Sequence, residues 1–213
     1  MNKYINNSKL ATKYFSTKNV ISRTIKCKNK NILDVGCNEG YFGTNNQETT
    51  NKYYGIDILE ESLKIAANKY EGVELYDLEE LKDLSFKKKF DYIIFGDVLE
   101  HIRNPEEVLK FFIKRYLNKN GRIIISLPNI ANWQTRFNLL FGKFDYTEIG
   151  IMDNTHLKLY TFKSAERLAK ISGLKIKSIL FGADLLGPIV NFLPFLRNLL
   201  STNIVLVCEK INK

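Results

Sequence analysis

Short aliphatic and aromatic runs recur along this 213-residue chain, and between them lie stretches whose apolar positions return every three or four residues. That alternation predicts a mostly parallel β-sheet with helices on both faces. Residues 31–36, KYYGIDI (52–58) and GVELY (72–76) read as the first three strands, the third short and at an edge. The Ile-rich runs FDYIIFG (90–96) and GRIIISL (121–127) are the fourth and fifth. NPEEVLKFFIKRYL predicts a helix with Asn104 as N-cap, Pro105 at the first helical position and Glu107 closing a capping box. Val108, Leu109, Phe112 and Tyr116 form its apolar stripe. A second helix is expected from Thr161 to its stop at Gly173. GLKIKSILFG and NIVLVCEK then read as two closing strands, giving a mixed sheet with an antiparallel edge.

Length and composition change this picture little. The chain fits one domain over 1–213, with an N-terminal helical segment (1–30), an insertion at 128–160 and an apolar connector at 182–202. No segment is apolar for long enough to span a bilayer, the N-terminus lacks an apolar h-region, and the three cysteines show no metal-ligand spacing. A cytoplasmic protein with reduced thiols is expected. The net charge of +9 invites a nucleic-acid partner, but the lysines are scattered, as in KCKNKN and FKKKF, and read as solvated faces.

The chemistry is announced by ILDVGCNEG (32–40). In a doubly wound sheet, ligands lie outside the carboxyl ends of the strands. Gly36 and Gly40 stand at the first such end, where a missing Cβ permits close approach. Asp57 ends the second strand, placed to accept ribose hydroxyls, and Asp77 ends the third, placed to accept from an adenine amino group. A pyrophosphate would favour G-x-G-x-x-G. Here the spacing is Gly36-x-x-x-Gly40 with Asp34 and Glu39 beside it, which suits a cationic ligand such as S-adenosylmethionine.

ILDVGCNEGYFG, YYGIDI, YDLEEL, FDYIIFGDVLEHIRNPEEVL and GRIIISLPNIANW resemble, in order, the motifs of class I S-adenosylmethionine-dependent methyltransferases. Relatives called to mind are the ubiquinone O-methyltransferase-like branch and glycan-cluster methyltransferases. The resemblance implies a Rossmann-like, seven-stranded sheet with its last strand antiparallel. It places Asp34, Gly36, Cys37 and Gly40 around the methionine part, Asp57 and Ile58 at the ribose, Asp77 and Leu78 at the adenine, and Gly96 under the sulfonium. Asn38 replaces a usual glycine but tolerates left-handed φ. YFGTNNQETTNK, where a helix should follow the glycine loop, is a poor helix former, good for two turns at most.

Methyl transfer needs position and a deprotonated acceptor. His101 and His156 are the only histidines and the candidate bases, each with a loop-anchoring role as its plainer alternative. Asp97, Glu100 and His101 form D-x-x-E-H, and with His156 they could hold Mg²⁺ or Zn²⁺; the arrangement resembles the E-x-x-E-H plus distant His metal site of small-RNA 2′-O-methyltransferases and some quinone O-methyltransferases, with the first acid shortened to Asp97. A structural Glu100, capping a helix or paired with Arg103, is the preferred alternative. In the acceptor-side insertion, Asn129 should face the cofactor, while Trp133 and Arg136 suit a sugar or ring. LLGPIVNFLPFLRNLL fits core packing first, then a dimer contact, lid or membrane-interface helix. The expected function is O-methylation of a small or glycan-like acceptor; the alternatives are an RNA 2′-O-methyltransferase and a non-catalytic cofactor-binding module.

Overall fold

A computed structural model describes residues 17–44, 50–182 and 196–211. Seven strands form one sheet: β1 (Asn31–Val35), β2 (Lys52–Asp57), β3 (Gly72–Leu75), β4 (Phe90–Gly96), β5 (Leu117–Pro128), β6 (Leu174–Gly182) and β7 (Asn203–Lys210). Their spatial order is β3-β2-β1-β4-β5-β7-β6. Strands β1 to β5 run parallel, and β7 runs antiparallel to both β5 and β6.

The last strand is antiparallel as expected, and the strand pair β7-β6 closes one side of the sheet, with β7 inside and β6 at the edge. Burial explains that order. The run Ile204–Cys208 is almost wholly buried, so β7 needs a neighbour on each side and cover on both faces. LKIKS in β6 alternates with polar residues and tolerates solvent.

The helices are α1 (17–24), α2 (Tyr41–Thr44), α3 (Glu60–Ala66), α4 (Pro105–Arg115), α5 (Trp133–Leu140), α6 (Phe162–Ile171) and α7 (Arg197–Leu200). Two apolar layers sandwich the sheet. On one side Leu109 and Phe112 of α4 and Leu168 of α6 pack with Leu33, Phe95 and Ile125; on the other Ile21 of α1 and Leu63 of α3 pack with Ile32 and Ile94. Phe112 meets Phe95 edge-on, with ring centroids 5.6 Å apart. Each such fully buried side chain contributes roughly 1.5–3 kcal/mol.

Caps follow the sequence only in part. Thr161 and Ser164 form a reciprocal capping box on α6, and Gly173 takes φ +84° just beyond its end. At α4 the expected box is absent: Asn104 sits at the N-cap, but its side chain makes no cap hydrogen bond. Pro105 at the first position and the acidic pair Glu106 and Glu107 favour that helix start instead. After the glycine loop α2 spans Tyr41–Thr44, and residues 45–49, where the weak helix former NNQET falls, lie outside the described chain. Most of the apolar connector, 183–195, and residues 1–16 also lie outside it. Among the described residues no helix is long and apolar enough to cross a membrane.

Candidate functional site

The carboxyl ends of β1, β2 and β4, parallel neighbours in the sheet, lie side by side. Gly36 (φ +69°) and Gly40 (φ +75°) turn the chain through the left-handed region, and Asn38 joins them at φ +48°. A Cβ on Gly36 would stand 2.4 Å from Val98 Cγ2. The loop's amides are all spoken for. Gly36 and Cys37 both donate to the Ile56 carbonyl at 2.8 and 3.0 Å, and Asn38 donates to Asp57 Oδ2 at 2.8 Å. Glu39 donates to Asn38 Oδ1 at 2.7 Å and Gly40 to the Cys37 carbonyl at 3.0 Å. A phosphate cradle works through free N–H groups. This loop offers none from 36 to 40, so it does not fit a pyrophosphate.

Carboxylates stand at or just past these strand ends instead. Asp34, 3% exposed, accepts a 2.6 Å hydrogen bond from Tyr70 Oη. Burial drives its carboxyl up to about 7, partly offset by that bond and by the Lys18 charge. Lys18 on α1 also feels Asp97 and Glu39, so a cation stands among the acids. Asp57 is held by Asn38 N–H and by Leu59 N–H, 2.9 Å from Oδ1. Each oxygen keeps a second lone pair for a ligand hydroxyl. Ile58 beside it is exposed. Past β3, Asp77 is half-buried and accepts from Glu79 N–H at 2.9 Å, with the partly buried Leu78 packed on the core. At Gly96 the atoms nearest a built Cβ lie 3.9 Å away, which leaves room there.

Cys37 differs from its expected place. Its backbone lines the loop, but the thiol is buried, and a Cβ on Gly55 would come within 2.5 Å of its Sγ. Burial pushes that thiol well up, so it is inert. Gly55 and Tyr70 escaped sequence reading. A glycine inside a strand is the signal for the first; nothing local marks the second.

Beyond β4 the chain makes a 3-10 turn, Leu99–His101, which meets the returning insertion. The Glu100 carbonyl accepts from Leu157 and Lys158 N–H at 2.9 and 3.0 Å. Its carboxylate, on a residue 1% exposed, has no hydrogen-bond partner for either oxygen. Burial pushes this carboxyl well above the usual range, with Asp97 adding to it. His156 Nε2 lies 4.0 Å from Glu100 Oε1, and burial lowers that imidazole's pKa. The two histidine rings are 4.8 Å apart edge to face.

The structural roles preferred on sequence do not apply, since Glu100 neither caps a helix through its carboxylate nor pairs with Arg103. Asp97, by contrast, does not join the group. At φ +56° it turns its carboxylate to Ser126 Oγ (2.6 Å) and Asn203 Nδ2 (2.9 Å).

Asn129 is a correction too. It is fully buried, donating to the Asn198 and Ser201 carbonyls at 3.0 and 2.9 Å and accepting from Ala131 N–H. Its amide ties the end of β5 to the β7 approach, with both N–H groups taken and the side chain buried. Trp133 and Arg136 lie on α5, which buries no residue, with Arg136 Nε donating to the Ala131 carbonyl. Helix and following loop expose Trp133, Phe137, Leu140, Phe141, Phe144 and Tyr146. These aromatics do not pack on the sheet.

A methyltransferase-domain family model matches residues 7–179. The ubiquinone biosynthesis O-methyltransferase of Coxiella burnetii is 26% identical over 168 residues, covering 72% of this chain and 70% of that one. The enzyme of the same name from Rickettsia canadensis is 30% identical over 153 residues, 70% of this chain and 64% of that one. Among solved structures, an S-adenosylmethionine-dependent methyltransferase of Archaeoglobus fulgidus overlays with TM-score 0.67 at 20% identity, covering 95% and 96% of the two chains. The magnesium protoporphyrin IX methyltransferase of Synechocystis, solved with bound S-adenosylhomocysteine, overlays with TM-score 0.68 at 13% identity, covering 97% and 89%. Strand order and family match agree: the chain belongs to this methyltransferase family and is a class I S-adenosylmethionine-dependent methyltransferase.

Proposed function

We propose that this enzyme methylates a hydroxyl oxygen of a small or glycan-like acceptor that enters between the β4 end and α5. When bound, S-adenosylmethionine supplies an electrophilic methyl group on sulfur. The residues fit that zwitterionic nucleoside. Asp57 accepts from the ribose hydroxyls while holding the loop through Asn38. Ile58 and Leu78 offer apolar contact to the adenine, whose amino group Asp77 accepts. Asp34 faces the ammonium, and Lys18 supplies the charge that a carboxylate needs. Gly36 and Gly96 leave the space for the methionine part and the sulfur.

The observation that carries the oxygen assignment is the Glu100–His101–His156 group just past Gly96, where an acceptor proton must leave. With its pKa lowered, His156 is neutral near pH 7 and has a lone pair to offer. The exposed aromatics on and after α5 suit a ring or sugar face. Relatives named as O-methyltransferases support the same reading.

The test is methyl transfer from S-adenosylmethionine to parallel panels of phenols, catechols, sugars and amines, read by mass spectrometry with the methylated atom located by fragmentation. Methyl ethers are expected. Turnover confined to amine or carbon acceptors would overturn the oxygen assignment.

A further inference from the structure

We infer that a basic groove at the amino-terminal ends of β5 and β6, opposite the methyl-transfer site, binds a small anion carrying several phosphate groups. The groove has a volume of about 550 Å³, and its charged lining is Lys119, Arg122, Lys175, Lys210 and one acid, Glu209. That volume falls within the roughly 300–1,000 Å³ of ordinary small-ligand sites.

Strand register brings these side chains together. Arg122 on β5 pairs with Glu209 on β7, and Lys175 on β6 pairs with the same Glu209 from the other side. Directly paired residues share a face of the sheet. Lys119 comes from an irregularity in β5: Leu117 pairs with Phe90 and Arg122 with Tyr92, so residues 118–121 stand opposite Asp91 alone. Gly121 permits the bend, since a Cβ there would come within 2.8 Å of Leu117 Cδ1. Bulges of this kind re-aim side chains.

The one acid is already answered, because Lys177 Nζ lies 3.1 Å from Glu209 Oε1. Among the described residues the four lining cations have no ion pair and no side-chain hydrogen bond. Other lysines at the same end of the sheet do pair, Lys30 with Asp91 and Lys52 with Glu71, each at 3.8 Å. Four like charges around one concavity raise the local potential, and the low-dielectric wall of the sheet focuses it outward. A multiply charged anion relieves that repulsion, and the Arg122 guanidinium matches phosphate oxygens two at a time.

The lining chooses among anions. Among the described residues it holds no aromatic side chain, so it lacks the stacking platform that a single nucleic-acid strand uses. Its apolar side chain is Ile211, too little for insertion into a lipid surface. A compact polyphosphate, free or as the tail of a nucleotide, fits the concavity and the charge. The groove is also remote from the chemistry. From Arg122, β5 rises about 13 Å, at roughly 3.3 Å per residue, to Ser126, whose hydroxyl donates to Asp97. Anion binding there leaves the cofactor in place and does not depend on the acceptor proposed above.

The test titrates the full chain by calorimetry with tripolyphosphate, ATP and orthophosphate at constant ionic strength. One tripolyphosphate per chain is expected, bound roughly 30-fold or more tighter than orthophosphate and weakened by added salt. The double variant Arg122→Gln/Lys175→Gln, at two exposed positions, should lose roughly tenfold or more. Lys64→Gln/Lys110→Gln removes the same charge from lysines paired along α3 and α4, and should change binding by less than about twofold. ATP bound as tightly as tripolyphosphate, with the same loss in the groove variant, identifies a nucleotide as the source; weaker ATP identifies free polyphosphate. S-adenosylhomocysteine should not displace the anion. Equal losses in the two double variants, displacement by S-adenosylhomocysteine, or no preference over orthophosphate would overturn the site. Tighter binding of a single-stranded RNA or of anionic lipid vesicles, lost in the groove variant, would overturn the small-anion assignment.

Discussion

Tyr70 Oη lies 2.6 Å from Asp34 Oδ2, joining the turn after α3 to the tip of β1 beneath the glycine loop. The pair is buried, and the hydrogen bond pulls Asp34's carboxyl down against the effect of burial, which bears on the charge offered to the proposed ammonium. Replacing the phenol by Tyr70→Phe removes a hydrogen bond to a charged group, a loss of about 1.5–3 kcal/mol. Cofactor affinity at pH 7 should fall several-fold by calorimetry, because Asp34 then ionises less readily.

Asp34 makes stability depend on pH. Its folded carboxyl titrates at about 7 against an ordinary 3.8. Between those values the unfolded chain binds fewer protons, so stability falls as pH rises from about 4 to about 7 and levels above. The whole effect is on the order of 4 kcal/mol. Denaturant titrations of wild type minus Asp34→Asn across that window should show the slope, since the difference cancels the other carboxyls. Cofactor affinity should run the opposite way, rising up to tenfold per pH unit until about 7 as the carboxylate forms.

Asp57 holds both the loop and the proposed ribose. Asp57→Ala frees Asn38 N–H and Leu59 N–H and removes the hydroxyl acceptor. Cofactor binding should drop by 100-fold or more in calorimetry. Unchanged affinity would place the ribose elsewhere.

Gly36→Ala meets two obstacles. Its φ of +69° costs about 1–2 kcal/mol for a residue with a Cβ, and that Cβ would overlap Val98 Cγ2. A destabilisation of roughly 2–4 kcal/mol is expected in chemical melts. The double variant with Val98→Ala should recover the overlap and leave the φ penalty.

His156→Ala should leave cofactor affinity within twofold of wild type and lower kcat at least tenfold, because the ring borders Glu100 and His101 rather than the glycine loop. A loss of cofactor binding equal to the loss of rate would mean that the insertion, and not the acceptor chemistry, had failed.

Periodicity and local chemistry carried much of this protein. Ile-rich runs located β4 and β5, and the Thr161 cap located α6. These are short-range properties: a strand must bury alternating or continuous apolar faces, and a loop with left-handed turns needs Gly36 and Gly40. The interior place of β7 agrees with its unbroken apolar run. Tertiary structure alone decided what long-range neighbours would do. Asn129 could face a ligand or tie strands together until residues 198 and 201 arrived beside it. Tyr70 stands 36 positions from Asp34, and His156 stands 56 from Glu100. No local pattern encodes such meetings, because they follow from how the sheet stacks and where the insertion returns. The sequence determined which side chains were available for chemistry; packing determined which of them were left buried without a partner.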